Sequence, residues 1–175
     1  MTTLSENGQL PHPLPATGAI FSPCDHYRYA LWRVWQPDLP RILFIGLNPS
    51  TADASQTDPT IRRCLGFAHN WGFGGVFVCN LYAFRTPYRH ELAKVANPVG
   101  PGNDEWLATM RMYCDEVLFC WGNGPARICF PTLEDRVSAI WERLTLPAFH
   151  LGLTKAGNPR HPLYLKASTT RRPYS

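Results

Sequence analysis

Four short apolar runs recur along the middle of the chain, at residues 42–46, 75–80, 116–121 and 147–152. They do not alternate with polar positions, and continuous runs of this kind are typical of strands buried on both faces of a parallel sheet. An aromatic segment at 27–35 begins with alternation, which predicts an N-terminal strand or half of a hairpin with the run at 42–46. The pattern therefore indicates a central four-stranded parallel sheet with an N-terminal strand or hairpin.

Helical patterns separate these runs. Asp58 before Pro59 predicts an N-cap and a first helical residue, and Gly72 predicts the end of that helix. Asn103 and Thr132 are predicted to cap two further helices. Because strands that alternate with helices form α/β folds with right-handed crossovers, we predict a three-layer α/β/α domain.

The chain has 175 residues, which suits one domain. Three prolines between positions 11 and 15 and a lack of periodicity predict a flexible tail or surface strap over residues 1–20, followed by a single α/β domain over 21–175. No apolar run is long enough to cross a bilayer, and the N-terminus lacks the basic-then-apolar layout of a signal peptide. We therefore expect a cytoplasmic protein with no membrane partner.

Composition and charge exclude only a few classes of protein and of partner. The hydrophobic and aromatic fractions, 45% and 13%, exclude an intrinsically disordered chain. A net charge of +4 and a pI of 8.8 are compatible with DNA or a nucleotide as partner, although many proteins of this charge bind no polyanion. The six cysteines form no CxxC pair and most lie in apolar stretches, so we expect buried thiols, no metal and no cofactor.

Polar or glycine-rich segments follow each predicted strand directly, where ligands bind in open α/β sheets. Gly46 permits close approach of a ligand, and the amide of Asn48 can hold a water or a base edge, or simply form an Asx turn. Asn80 ends the second strand and can present its amide to a nucleobase. His161, before Pro162, can donate to a developing anion, act as acid or base, or be structural. We expect these side chains to share one site.

The start of the first helix adds charged candidates. Asp58 is most simply the N-cap, and the helix N-terminus that follows it can bind an anion. Arg62 and Arg63 are either a solvated helix face or phosphate contacts. The predicted ligand-binding residues are Gly46, Leu47, Pro49, Ser50, Asp58, Asn80, Arg85, Gly122 and Pro162, and the predicted phosphate contacts are Arg62, Arg63 and Arg160.

These motifs carry two resemblances. A family of short proteins catalogued only as a domain of unknown function is similar to residues 21–165, in the runs FSPCDHYRYALWRVW, GLNPSTAD, DPTIRRC, NLYAFRTP, NPVGPGND, CWGNG and GLTKAGNPRHPLYL. More distantly, the chain resembles the uracil-DNA glycosylase superfamily. That resemblance lies in GLNPS, Asn80 after the second strand, a glycine turn after the third and His161-Pro162 after the fourth.

The second resemblance implies a uracil-DNA glycosylase-like fold and a reaction. It implies that Asn48 positions the attacking water, that Asn80 helps to recognise the base and that His161 stabilises charge on the departing base. The enzyme would extrude a nucleotide and hydrolyse its glycosidic bond, with a fixed donor stabilising the departing anion.

The chain departs from that superfamily in two places. Branches that activate water with Asp or Glu carry it near the position of Asn48, so Asp53 or Asp58 would have to substitute here. The segment Leu163-Tyr164-Leu165 replaces the usual serine-rich tip, and it is either an apolar wedge into a duplex or a packing segment.

Three hypotheses about function follow. The first is an N-glycosylase-like enzyme that acts on a nucleobase in nucleic acid by water attack on the glycosidic bond. The second is a non-catalytic module on the same fold that binds a nucleotide or modified base, suggested by the missing acidic group. The third is an enzyme acting on a free nucleotide, suggested by the DPTIRR helix start and Lys155. The sequence does not determine the oligomeric state.

Overall fold

A computed structural model of the chain describes residues 10–11, 13–50, 52, 57–125 and 131–174. The strands are β1 (Thr17–Phe21), β2 (Arg28–Val34), β3 (Arg41–Gly46), β4 (Gly75–Asn80), β5 (Glu116–Phe119), β6 (Ala148–His150) and β7 (Arg172–Pro173). The α-helices are α1 (Pro59–Asn70), α2 (Asn103–Arg111) and α3 (Leu133–Trp141), and short 3₁₀ helices cover Arg89–Lys94 and Pro162–Tyr164.

The strands of the described chain form one mixed sheet in the order β1-β2-β4-β3-β5-β6-β7. β3 runs parallel to β4 and to β5, and β5 runs parallel to β6. The pairs β1–β2, β2–β4 and β6–β7 are antiparallel. The prediction of an α/β fold is confirmed, but the sheet is wider than expected, because a hairpin extends one edge and β7 extends the other.

The N-terminal hairpin differs from the one considered from the sequence. β2 pairs with β1 and β4 and not with β3, so the expected hairpin between 27–35 and 42–46 is wrong. The reason is that β4 follows α1 and inserts beside β3, where it takes the position that β2 would need. Residues 17–20, within the predicted tail, belong to β1 and hence to the sheet. Residues 1–9 and 12 of that segment lie outside the described part of the chain.

The apolar runs form strands because both of their faces are covered. In β3, Leu43 and Ile45 pack with α2 and α3 on one side of the sheet, whereas Ile42 and Phe44 pack with α1 on the other. β4 is buried along its whole length. The interpretation of the runs at 42–46 and 75–80 as strands buried on both faces is therefore confirmed, and helices cover the sheet on both sides.

The order of the parallel strands determines where a crevice opens. From β3 the chain crosses through α1 to β4 on one side, and from β4 it crosses through α2 to β5 on the other side of β3. When two crossovers have the same hand but move in opposite directions along the sheet, their helices lie on opposite faces of the sheet. Helices α1 and α2 do pack on opposite faces. The carboxyl end of β3 is thus a topological switch point, the usual place for a ligand site in such sheets.

Two of the three predicted helix caps are confirmed. The Oδ1 atom of Asp58 accepts a hydrogen bond from the backbone N–H of Ile61 at 2.8 Å. Thr132 and Asp135 form a reciprocal capping box at the start of α3. The third prediction is wrong, because Asn103 is the first residue inside α2 and its fully buried amide binds the end of β4 instead of capping the helix.

The cysteines of the described chain are all free thiols. Cys64, Cys79, Cys114 and Cys120 are buried, as expected, and Cys24 is exposed; Cys129 lies outside the described residues. Burial raises the pKa of Cys79 and of Cys120 to about 12, so these thiols stay protonated at neutral pH. Within the described ranges, no group of three metal-ligating side chains is assembled and no helix is long and apolar enough to span a membrane.

Candidate functional site

A cavity of about 670 Å³ opens at the carboxyl ends of β3, β4 and β5. Its lining combines apolar side chains from the sheet and from α1 with polar and basic ones. Most of the predicted site residues line it, namely Gly46, Leu47, Asn48, Ser50, Asp58, Asn80, Gly122, Arg160 and His161. Those that do not line it are Pro49, Arg62, Arg63, Arg85 and Pro162.

Asn48 is fixed in the turn that follows β3. Its Nδ2 donates to the carbonyl oxygens of Thr86 at 2.8 Å and of Pro49 at 3.1 Å. Both amide hydrogens are thereby used, and Oδ1 has no hydrogen-bond partner among the described residues. An acceptor oxygen of this kind beside a cavity can orient a water molecule, whereas an amide is a poor proton acceptor.

Asn80 is almost fully buried at the end of β4, with 4% of its surface exposed, and yet it lines the cavity. Its Nδ2 is buried and has no hydrogen-bond partner in the described part of the chain. Gly46 is its neighbour on β3, and a Cβ atom added at that glycine would lie 2.9 Å from Oδ1 of Asn80. Buried amides normally have partners, so this unused donor can serve to recognise the edge of a bound base.

His161 precedes the 3₁₀ helix Pro162–Tyr164. Its Nδ1 accepts a hydrogen bond from the backbone N–H of Leu163 at 3.3 Å. Burial lowers the pKa of His161 below its ordinary value of 6.5, and the charge of Asp58 partly opposes that shift. At neutral pH the imidazole is therefore mostly uncharged, with its proton on Nε2 as a hydrogen-bond donor.

Gly122 lies beside His161 in the turn that follows β5. Its φ of +67° lies in the left-handed region, which favours glycine, and a Cβ there would lie 3.4 Å from the Cβ of His161. The backbone N–H of Gly122 also donates to the carbonyl oxygen of Pro159 at 2.8 Å, which ties the end of β5 to the segment that carries the histidine.

Asp58 is the single carboxylate that lines the cavity within the described ranges. Besides capping α1 through Ile61, it accepts a hydrogen bond from Oγ of Ser50 through Oδ2. Both oxygens of Asp58 therefore hold groups of the protein in place, which gives this carboxylate a structural role at the wall of the cavity. Asp53, the other acidic candidate, lies outside the described residues.

Arg28 is a site residue that the sequence analysis missed. It lines the cavity from β2 with only 2% of its surface exposed. Its Nη1 donates to the carbonyl oxygen of Ala52 at 2.6 Å, and its buried Nε has no partner among the residues that the structure describes. Burial lowers the pKa of Arg28 to about 10, against the opposing charge of Asp58. The site therefore contains a guanidinium whose hydrogen bonds the described protein does not fully satisfy.

The three predicted phosphate contacts are dispersed. Arg160 is exposed and lines the cavity. Arg62 is exposed on α1 and does not reach it. Arg63 donates from Nη2 to the carbonyl oxygen of Leu165 and lies 4.8 Å from the ring centre of Phe67, so it holds the C-terminal segment against α1.

Three further predicted residues lie behind the cavity wall. Pro49 is buried and its carbonyl oxygen accepts the hydrogen bond from the Asn48 amide. Pro162 is buried at the first position of the 3₁₀ helix after the histidine. Arg85 pairs with Asp25 at 2.9 Å and stacks over a ring of β1, which fixes the hairpin turn between β1 and β2.

The rim of the cavity carries exposed aromatic and basic side chains. Tyr88 and Arg89 lie on one part of the rim, and Nη1 of Arg89 donates to the carbonyl oxygen of Asn123 at 3.0 Å. Tyr164 also lines the cavity and is 88% exposed, whereas Leu165 packs against the core on the α1 side. Within the segment 163–165, Leu165 therefore packs against the core, whereas Tyr164 is exposed to solvent.

The fold defines an α/β protein with a cavity at the switch point of its parallel strands. Residues 28–163 match the sequence profile of the family described as "Protein of unknown function (DUF1643)", and the chain belongs to this family. No curated protein and no solved structure was found to match the chain. The first of the two resemblances is therefore confirmed, and the relation to uracil-DNA glycosylases remains a prediction.

Proposed function

We propose that the protein is an N-glycosylase-like enzyme that binds a nucleobase of nucleic acid in the cavity and hydrolyses its glycosidic bond. The observation that carries the proposal is the convergence of Asn48, Asn80 and His161 on one cavity. Each of them keeps a hydrogen-bonding atom that the described protein does not use. A volume of about 670 Å³ is within the range of small-ligand sites.

Base recognition is assigned to Asn80. Its Nδ2 has no hydrogen-bond partner among the described residues, and an amide can pair with a base edge through one donor and one acceptor. Gly46 lets the two strand ends approach closely enough to fix this side chain. A buried amide held on a strand is a rigid element for recognising one base over another.

Stabilisation of the leaving base is assigned to His161. A neutral imidazole whose Nδ1 is already bound presents its Nε2–H as a fixed donor to the electron pair that the base acquires. In the reaction, the water oxygen forms a bond to C1′ of the sugar and the C1′–N bond breaks with its electrons on the base. The proton lost from water passes to solvent, and the base anion is then protonated.

Orientation of the attacking water is assigned to Asn48, through its free Oδ1. Because an amide does not accept the proton, we expect a slow reaction compared with enzymes that carry a carboxylate at this point. The ordered motifs shared with the uracil-DNA glycosylase superfamily support the same assignment of roles.

A second candidate function is a non-catalytic module that binds a nucleotide or modified base in the same cavity. The specific observation that favours it is the state of Asp58, since both of its oxygens are already hydrogen-bonded within the protein. Under this alternative, Asn80 keeps its role in recognition, whereas Asn48 and His161 only shape the cavity.

The test is base release from labelled oligonucleotides, single- and double-stranded, that carry uracil, hydroxymethyluracil, hypoxanthine or a T·G mismatch. We expect Asn48→Ala and His161→Ala each to reduce release on the order of 10²-fold, as loss of one transition-state hydrogen bond does. Asn70→Ala and His26→Ala are matched controls, because both residues are exposed and lie outside the cavity. They should release base at the wild-type rate.

Two outcomes decide against the proposal. Release at the wild-type rate by both cavity variants would show that the assigned roles are wrong. No release from any substrate by the folded wild-type protein, together with saturable binding that is lost in Asn80→Ala, would establish the binding module instead.

A further inference from the structure

We propose that Arg28 forms an anion subsite in the inner wall of the cavity and binds a carboxylate or phosphate group of the ligand. The proposal rests on the proposed function only in taking the same cavity as the ligand site, and it requires no bond cleavage. It concerns a residue outside the GLNPS, Asn80 and His161 motifs.

Arg28 carries a buried charge, and the described residues do not accept all of its hydrogen bonds. Arg28 is 2% exposed, one of its N–H groups donates to the carbonyl oxygen of Ala52, and Nε has no acceptor within the described part of the chain. No ion pair to Arg28 is formed within the described ranges. Buried guanidinium groups are costly unless an anion neutralises them and accepts their hydrogen bonds. A ligand that enters the cavity can supply that anion.

Asp58 does not serve as the anion that accepts the hydrogen bonds of Arg28. Its charge acts on Arg28, but its two oxygens already accept hydrogen bonds from Ile61 and Ser50. No ion pair joins Asp58 to Arg28 within the described ranges, so Asp58 does not supply the bidentate contact in which arginine binds a carboxylate or phosphate. The charge of Asp58 favours the protonated guanidinium and leaves its hydrogen-bond donors to another group.

The backbone of β2 determines to which face of the sheet the side chain of Arg28 points. Phe21 of β1 pairs with Arg28, and Ile20 pairs with Ala30, so Tyr29 is an extra residue in β2 and forms a bulge. Ala30 belongs to the cluster on the α2 side of the sheet, and simple alternation would place Arg28 on that side. Instead Arg28 contacts Ala52, a member of the cluster on the α1 side. Bulges beside ligand sites commonly redirect a side chain in this way.

Two kinds of ligand can present such an anion. One is a nucleobase with an acidic substituent, and the other is a free nucleotide whose phosphate enters the cavity. Both would place an anionic oxygen group within reach of Arg28, while Asn80 and His161 lie along the same cavity and can bind the remainder of the ligand. The shared chemistry is recognition of an anionic oxygen group by a desolvated arginine.

The experiment compares two pairs of small molecules by isothermal titration at fixed ionic strength, namely uracil with orotate and uridine with uridine 5′-monophosphate. In wild type, we expect the anionic member of at least one pair to bind about tenfold more tightly or better, as a charge-assisted hydrogen bond allows. The orotate pair identifies a base substituent, and the monophosphate pair identifies a nucleotide phosphate. Arg28→Met should bring the ratio close to one.

Arg62→Met is the control, because it removes an exposed arginine on α1 that does not line the cavity. Its ratio should equal that of wild type. Should Arg28→Met fail to fold, Arg28→Gln carries the same prediction, since it retains a donor without the charge.

The proposal is overturned by equal binding within both pairs, by no binding of any of the four molecules, or by an Arg28→Met ratio equal to wild type. These results are independent of base release, so failure of the glycosylase proposal and failure of the anion subsite are distinguishable.

Discussion

Replacement of Asn103 by alanine tests how the carboxyl end of β4 is held in place. Asn103 is fully buried, and its Nδ2 donates to the carbonyl oxygens of Asn80 at 3.0 Å and of Leu81 at 3.2 Å. These bonds join α2 to the strand end that carries the proposed base-recognition side chain. Asn103 itself does not line the cavity.

The expected cost follows from these two hydrogen bonds. Each contributes about 1 kcal/mol net, and a buried carbonyl left without a partner costs about 1–3 kcal/mol more. Leu81 retains a hydrogen bond from Nε of Arg136 at 3.0 Å, so the larger penalty falls on Asn80. The sum is about 3–5 kcal/mol, which lowers Tm by about 6–20 °C for a chain of this size.

Thermal unfolding followed by circular dichroism measures this effect. Asn103→Asp separates hydrogen bonding from packing, because it preserves the shape while replacing the donor by an oxygen that faces two carbonyls. It should destabilise the protein at least as much as alanine does at pH 7. The exposed variant Asn70→Ala should leave Tm unchanged. A decrease in Tm of less than about 2 °C in Asn103→Ala would refute the reasoning. If Asn103→Ala lowers Tm but Asn103→Asp does not, the lost stability would be due to packing and not to the hydrogen bonds.

Two further predictions concern the site directly. In Gly46→Ala, the new Cβ would lie 2.9 Å from Oδ1 of Asn80, so we expect a loss of about 1–3 kcal/mol in chemical unfolding and weaker ligand binding in titration. The pKa of His161 is lowered in the folded protein, so the unfolded chain takes up its proton first as the pH falls below about 6.5. The stability of wild type relative to His161→Gln should therefore be constant above that pH and decrease below it, and a pH-independent difference between pH 5 and 8 would contradict the lowered pKa.

The elements that could be predicted from sequence are those determined by local or periodic patterns. The runs at 42–46 and 75–80 are apolar at successive positions, and strands covered on both faces require that pattern. Asp58 and Pro59 start α1 as expected, because an N-cap depends on residues that are adjacent in the chain. The clustering of Asn48, Asn80 and His161 followed from one topological rule, which brings the carboxyl ends of parallel strands together.

Other parts depend on contacts between distant segments, which no local pattern contains. Asn103 satisfies the rule for an N-cap residue, but two carbonyls at the end of β4 compete for its amide and bind it. Arg28 lies within an aromatic segment whose alternation is interrupted by the bulge at Tyr29, so its side chain could not be assigned to a face. β7, at Arg172–Pro173, is too short to produce any periodic pattern.

Asp58 connects the helix, the cavity and the electrostatics of the site. Its two oxygens hold the first turn of α1 and Ser50, while its charge favours the protonated forms of both Arg28 and His161. For Arg28 this favours a charged guanidinium that an anionic ligand can neutralise. For His161 the effect of burial is larger, so the imidazole remains a neutral donor at pH 7. One carboxylate thus acts on a cation and on a neutral donor in the same cavity, because burial leaves the pKa of Arg28 at about 10 but lowers the pKa of His161 from an ordinary value that is already below 7. A site of this kind fits both proposals, since Arg28 would bind an anionic group at one point and His161 would stabilise a developing anion at another.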